Sequence, residues 1–104
     1  MEHLSFTFST GRRAGGTDAQ AIVGVVASGN LEALFQRTGD ADKCVIEVAT
    51  AAHGFKPVWE AVLQDFAARG TGGLRISIND GGARPDMVAL RLAQGLRLIE
   101  GPGA

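Results

Sequence analysis

The sequence predicts an α+β fold, a two-layer sandwich in which a largely antiparallel sheet is packed by two helices. Three observations point there. Several segments that alternate apolar and polar residues come before any helical one. Two later segments space their apolar residues by three and four. The chain has 104 residues, enough for one domain over residues 1–104 with a single modest core.

Each element has its own signal. Leu4, Phe6 and Phe8 alternate with Ser5, Thr7 and Ser9, the period of a half-buried strand. Residues 11–18 are rich in glycine and have no period, so they form a mobile loop. Residues 21–27 are a valine- and isoleucine-rich run, a buried strand. Ser28-Gly29-Asn30 interrupts it with turn residues, and Leu31, Ala33 and Phe35 then share a face. Strand, short glycine-containing turn and strand make a hairpin with Ser28 at its tip. Residues 38–42 are a second turn, and Cys44, Ile46 and Val48 mark the next strand.

The period changes at residues 55–69, where Trp59, Val62, Leu63 and Phe66 form a helical stripe. Pro57 suits its first turn and Gly70 its end. Leu74, Ile76 and Ile78 alternate in a further strand, and residues 80–84 are a turn. Pro85 opens a second helix that buries Val88, Leu92, Leu96 and Ile99. Gly95 inside it costs about 1 kcal/mol relative to alanine. Residues 100–104 are a frayed tail.

Composition narrows the function classes. With 45% apolar and 20% charged residues, the chain is that of a soluble globular protein. A formal net charge of −1 argues against nucleic acid or an anionic membrane as partner. There is neither an apolar run of membrane-spanning length nor a signal peptide. The single cysteine, Cys44, cannot form an internal disulfide and fits a cytoplasmic protein. It sits in a strand, as a small buried hydrophobe. His3, His53 and Cys44 lack metal-ligand spacing, so no metal site is expected.

Catalytic signatures are absent too. Val26-Ala27-Ser28-Gly29-Asn30 is not the G-x-S-x-G elbow, and no spacing ties His53 to Ser28 as a base. The glycines make neither a dinucleotide fingerprint nor a phosphate loop. Ser28 therefore has two readings: a turn serine bonded to its own backbone, or an exposed hydroxyl open to covalent modification. Arg12 and Arg13, in the glycine-rich loop, are either solvated or phosphate-contacting. Arg84, before the second helix, has the same two readings.

A resemblance favours the modified serine. Val23-Gly24-Val25-Val26-Ala27-Ser28-Gly29-Asn30-Leu31-Glu32-Ala33-Leu34 resembles the segment around the modified serine of malonate decarboxylase acyl carrier proteins. Ile76-Ser77-Ile78-Asn79-Asp80-Gly81-Gly82-Ala83-Arg84-Pro85 is similar to that family's Asp-aromatic-Gly-Ala-Thr-Pro turn, and Trp59-Glu60-Ala61-Val62-Leu63 and Leu90-Arg91-Leu92-Ala93-Gln94 to its helical blocks. Residues 4–8 also fit, and the likeness is colinear over nearly the whole chain. The chain departs from the family at Asn30, where Asp is usual, at Gly81, where an aromatic is usual, and at Arg84, where Thr is usual.

The resemblance implies a non-catalytic carrier subunit. Ser28, flanked by Gly29 and Asn30, would hold a 2'-(5''-phosphoribosyl)-3'-dephospho-coenzyme A group through a phosphodiester. The thiol of that arm would carry acetyl or malonyl as a thioester. The implied partners are the acyl transferase and decarboxylase subunits of the complex and a prosthetic-group transferase, all cytoplasmic. Two other readings stand beside it: the carrier subunit of citrate lyase, and an unmodified interaction module that binds a partner along a sheet edge. The carrier reading also expects Arg12 and Arg13, or Arg84, to steady the arm's phosphates if the sheet brings them near the Ser28 hairpin.

Overall fold

The computed structural model describes residues 1–24 and 31–101. Its elements in chain order are β1 (Glu2–Ser9), β2 (Gln20–Val23), β3 (Leu31–Arg37), β4 (Lys43–Thr50), α1 (Lys56–Ala67), β5 (Leu74–Asp80) and α2 (Pro85–Glu100). The strands form one sheet in the order β1-β4-β5-β3-β2. β1–β4, β2–β3 and β3–β5 are antiparallel, and β4–β5 is parallel with α1 as its crossover.

Registry explains why one face is buried. Phe6 pairs Ile46, Ile46 pairs Ile76, Ile76 pairs Phe35, and Phe35 pairs Ala21, so one apolar row crosses all five strands. The row of opposite parity is Ser5, Glu47, Ser77, Leu34 and Ile22. A one-residue slip would exchange these faces, which makes the register costly to change. Both helices cover the first face, with Trp59, Leu63 and Phe66 from α1 and Val88, Leu92, Leu96 and Ile99 from α2 joining the core. Phe35 meets Phe66 edge-on, ring centroids 6.3 Å apart and planes at 85°. Among the described residues, no helix is long and apolar enough to cross a membrane.

Gly95 has a packing reason that no helix propensity reveals. A Cβ there would lie 2.2 Å from Cε1 of Phe35 and 2.5 Å from its Cζ. The Phe35 ring is fully buried and has nowhere to retreat. Gly95→Ala is therefore expected to destabilise the protein. Overpacking a core costs about 1–3 kcal/mol, against about 1 kcal/mol gained in helix propensity. A urea midpoint that rises in the variant would contradict this packing.

Residues 11–18 form a loop, as the sequence expects, and the fold ties it down. Ala14 is buried, and its N–H donates to the Gly72 carbonyl at 2.9 Å while Gly72 N–H donates to Arg12 O at 2.9 Å. Arg37, the last residue of β3, ties the rest. Its guanidinium donates to the carbonyls of Asp18 at 2.6 Å, Ala14 at 3.1 Å and Ile99 at 2.9 Å, and also to that of Gly15. One side chain thus holds the loop to the end of α2. Arg37→Met keeps the aliphatic stem and removes the fork. It is expected to cost at least about 1.5–3 kcal/mol, the value of a single bond to a charged donor. Lysine should rescue little, because it lacks the planar fork. Faster hydrogen exchange at Ala14 would accompany the loss.

Two boundaries differ. The sequence extends the second strand through residue 27; β2 runs to Val23, Gly24 leaves it at φ 80°, and residues 25–27 lie outside the described residues. α2 continues through Glu100, inside the segment expected as frayed tail, and stops at Gly101 with φ 79°. Residues 102–104 lie outside the described residues.

Candidate functional site

Ser28, Gly29 and Asn30, the expected attachment residues, lie outside the described residues. Their two anchors do not. Gly24 and Leu31 bracket the segment, and a Cβ on Gly24 would stand 2.0 Å from the Leu31 carbonyl oxygen. Glycine is required there both by this approach and by the positive φ. Leu31 in turn pairs with Asp80 at the end of β5.

Asp80 organises that end of the sheet. It is 4% exposed, and both carboxylate oxygens are used. The Thr50 hydroxyl donates to Oδ2 at 2.8 Å, and the Ala83 backbone N–H donates to Oδ1 at 2.7 Å. The Ala51 N–H donates to the Asp80 carbonyl at 2.9 Å. These bonds join the ends of β4 and β5 to the turn that launches α2. The turn delivers Arg84 as the residue before α2, its side chain 84% exposed and 3.4 Å from the Asp86 carboxylate. The loop of residues 51–55, which contains the exposed His53, opens at the same end.

Beside this turn lies an apolar cleft of about 270 Å³ between α1 and the start of α2. Phe55, Val58, Trp59, Val62, Pro85 and Val88 line it, with Asp80 and Arg84 as its ionisable groups. Since Asp80 is already hydrogen-bonded inward, Arg84 is the charged group it offers to a ligand.

The sheet separates the two arginine groups considered from the sequence. β1 starts opposite Thr50 and ends opposite Lys43, and Arg13 bridges Gly72, just before β5 begins. Arg12 and Arg13 therefore stand at the end of the sheet away from Gly24, Leu31 and Asp80. The seven residues of β5 span about 20 Å at roughly 3.3 Å per residue. Arg84 shares the Gly24–Leu31 end; Arg12 and Arg13 do not.

Cys44 is fully buried, as its strand position suggested. Burial pushes its thiol up from the usual range, and a contact with the Thr71 hydroxyl offsets only part of this. The thiol stays protonated in the fold, so stability should fall as pH rises past the ordinary thiol range, where the unfolded chain ionises first. Among the described residues, no group of three His, Cys, Asp or Glu side chains could hold a metal ion.

The sequence missed the Thr50–Asp80 pair and the cleft. In the sequence Thr50 is only the last residue of a strand and Asp80 the first of a turn, and only the parallel pairing of β4 with β5 sets them side by side.

Comparison with known proteins agrees with this architecture and adds a family. Residues 18–99 match the family model described as malonate decarboxylase delta subunit (MdcD), with the short name ACP. The chain belongs to that family. A relative in Bradyrhizobium diazoefficiens, named malonate decarboxylase acyl carrier protein, is 56% identical over 100 residues, covering 95% of each chain. One of the same name in Burkholderia cepacia is 50% identical over 95 residues, covering 90% of this chain and 86% of its own. A chain in the crystal structure of a Pseudomonas malonate decarboxylase hetero-tetramer in complex with malonate superposes with TM-score 0.80 at 38% identity. That match covers 95% of this chain and 99% of the Pseudomonas one. That Pseudomonas chain thus shares this sandwich at 38% identity, and the region matched by the family model, residues 18–99, includes both anchors of the Ser28 segment.

Proposed function

We propose that this chain is the acyl carrier subunit of a malonate decarboxylase, with Ser28 as the attachment point of a phosphoribosyl-dephospho-coenzyme A arm. The observation that carries the reading is its full-length likeness to proteins named malonate decarboxylase acyl carrier protein. The citrate lyase alternative loses its ground, because the matching family is that of malonate decarboxylase.

The chemistry of the described residues fits such an arm. The segment holding Ser28 is anchored at the end of the sheet where Arg84 faces solvent and an apolar cleft opens. An arm of this kind is anionic near its attachment and slender and less polar toward its thiol. When bound, it supplies a thiol that holds the acyl group as a thioester, which acidifies the neighbouring carbon. The chain's own residues supply the rest. Gly24 and Leu31 hold the two ends of the attachment segment close together. The Thr50–Asp80 pair makes its base rigid, and Arg84 adds a cation beside it.

In this reading the carrier catalyses nothing. Its partners are the acyl transferase and decarboxylase subunits, which work on the tethered acyl group, and the transferase that installs the arm. Tethering raises the local concentration of the acyl group at each partner without any new contact. The test is the intact mass of the carrier taken from an active native complex. The expected result is a covalent adduct located on the peptide containing Ser28. A bare chain in an active complex would overturn the reading.

A further inference from the structure

The apolar cleft is an expensive feature for a chain of this size. Phe55 is 51% exposed and Val58 41% exposed at its mouth, although both lie beside a well-packed core. Its volume, about 270 Å³, is at or below the low end of ligand pockets. It is too small for a partner's helix and suits a slender chain. Its rim carries the exposed Arg84, which lies 3.4 Å from the exposed Asp86 carboxylate, and its walls are mostly apolar. It also opens at the sheet end where Gly24 and Leu31 hold the Ser28 segment, one strand from Asp80, which lines the cleft.

We infer that the cleft is a berth for this chain's own arm between visits to its partners. The thioester-bearing end lies against Trp59, Val62 and Val88, and Arg84 faces the arm's phosphates. This rests on the attachment of the arm at Ser28. The tether favours this occupant, because a group held on the same molecule meets the cleft at a high effective concentration, whereas a partner's side chain must arrive from solution. The berth keeps water from the thioester. Occupancy stays modest, since the arm must leave for each partner.

Trp59 is the chain's single tryptophan and lines the cleft, so it reports occupancy directly. The experiment uses isolated, deacylated carrier with the arm's presence established by intact mass. Trp59 emission is compared between loaded and bare chains, and alkylation of the arm's thiol by iodoacetamide is compared with that of free coenzyme A. Cys44 is buried and does not compete. An arm docked about two-thirds of the time leaves about one-third free, so alkylation should slow about threefold. Ala83→Leu, which fills the cleft from a half-buried turn position, should restore the rate of free coenzyme A and abolish the emission difference. Arg84→Gln, a surface change, should restore it in part.

A loaded carrier whose Trp59 emission equals that of the bare chain and whose thiol reacts like free coenzyme A would overturn the berth while leaving Ser28 as the attachment site. An emission change that appears only when partner subunits are added would overturn it in favour of a partner's side chain. A carrier from the active complex with no arm at all would overturn both readings together.

Discussion

The Ser28→Ala carrier is expected to fold and melt like its parent, to accept no arm, and to leave the reconstituted complex without activity. Among the described residues the core is built from both sides of the Ser28 segment, and at the turn position expected for Ser28, removing a hydroxyl typically changes stability by within about 0.5 kcal/mol. The functional loss has no such limit, because without the seryl oxygen there is nothing to form the phosphodiester. Intact mass after incubation with the arm-installing transferase reads the first effect, and malonate-dependent release of carbon dioxide reads the second. A complex built with Ser28→Ala that still turns over malonate would sink the assignment. Loss of activity together with loss of fold would instead reflect stability, and a thermal melt separates the two.

Trp59→Ala should produce the largest loss of stability of any single change considered. The ring is 5% exposed and belongs to the core that α1 and α2 close over the sheet. Truncating a buried aromatic to alanine costs about 3–5 kcal/mol, a large fraction of the roughly 5–15 kcal/mol that holds a domain together. For a domain of this size that corresponds to a fall in Tm of about 12 °C or more. Circular dichroism must follow the melt, since the variant has no tryptophan to report by fluorescence. Val58→Ala, one residue away but 41% exposed, is the control and should shift the melt little. Equal melts for both variants would mean that the ring contributes no burial energy.

The class and order of the elements could be read from local pattern, and for a physical reason. Side chains alternate along a strand and repeat every 3.6 residues along a helix, so Leu4, Phe6 and Phe8, or Trp59, Leu63 and Phe66, declare their period without knowledge of any partner. Each of these ends on the buried or half-buried side of the sheet or on the buried face of α1. Ser28, named from turn chemistry and resemblance, lies outside the described residues; only its anchors Gly24 and Leu31 are explicit in the fold.

Whatever depends on which element lies beside which was decided only in three dimensions. Arg12, Arg13 and Arg84 are alike in sequence as exposed arginines near glycines. The strand order sends the first two to one end of the sheet and the third to the end that holds Gly24 and Leu31. Gly95 reads as a weak point in a helix until the Phe35 ring fills the space its side chain would need. Arg37 carries no signal in the sequence, and only the fold shows its fork gathering four carbonyls from residues at least 19 positions away. Asp80 reads as a turn residue and Thr50 as the end of a strand until the parallel pairing of β4 with β5 joins them. Hydrogen bonds and close contacts act over a few ångströms between residues far apart in the chain. A periodic pattern records which face a residue takes, and only packing decides what it meets there.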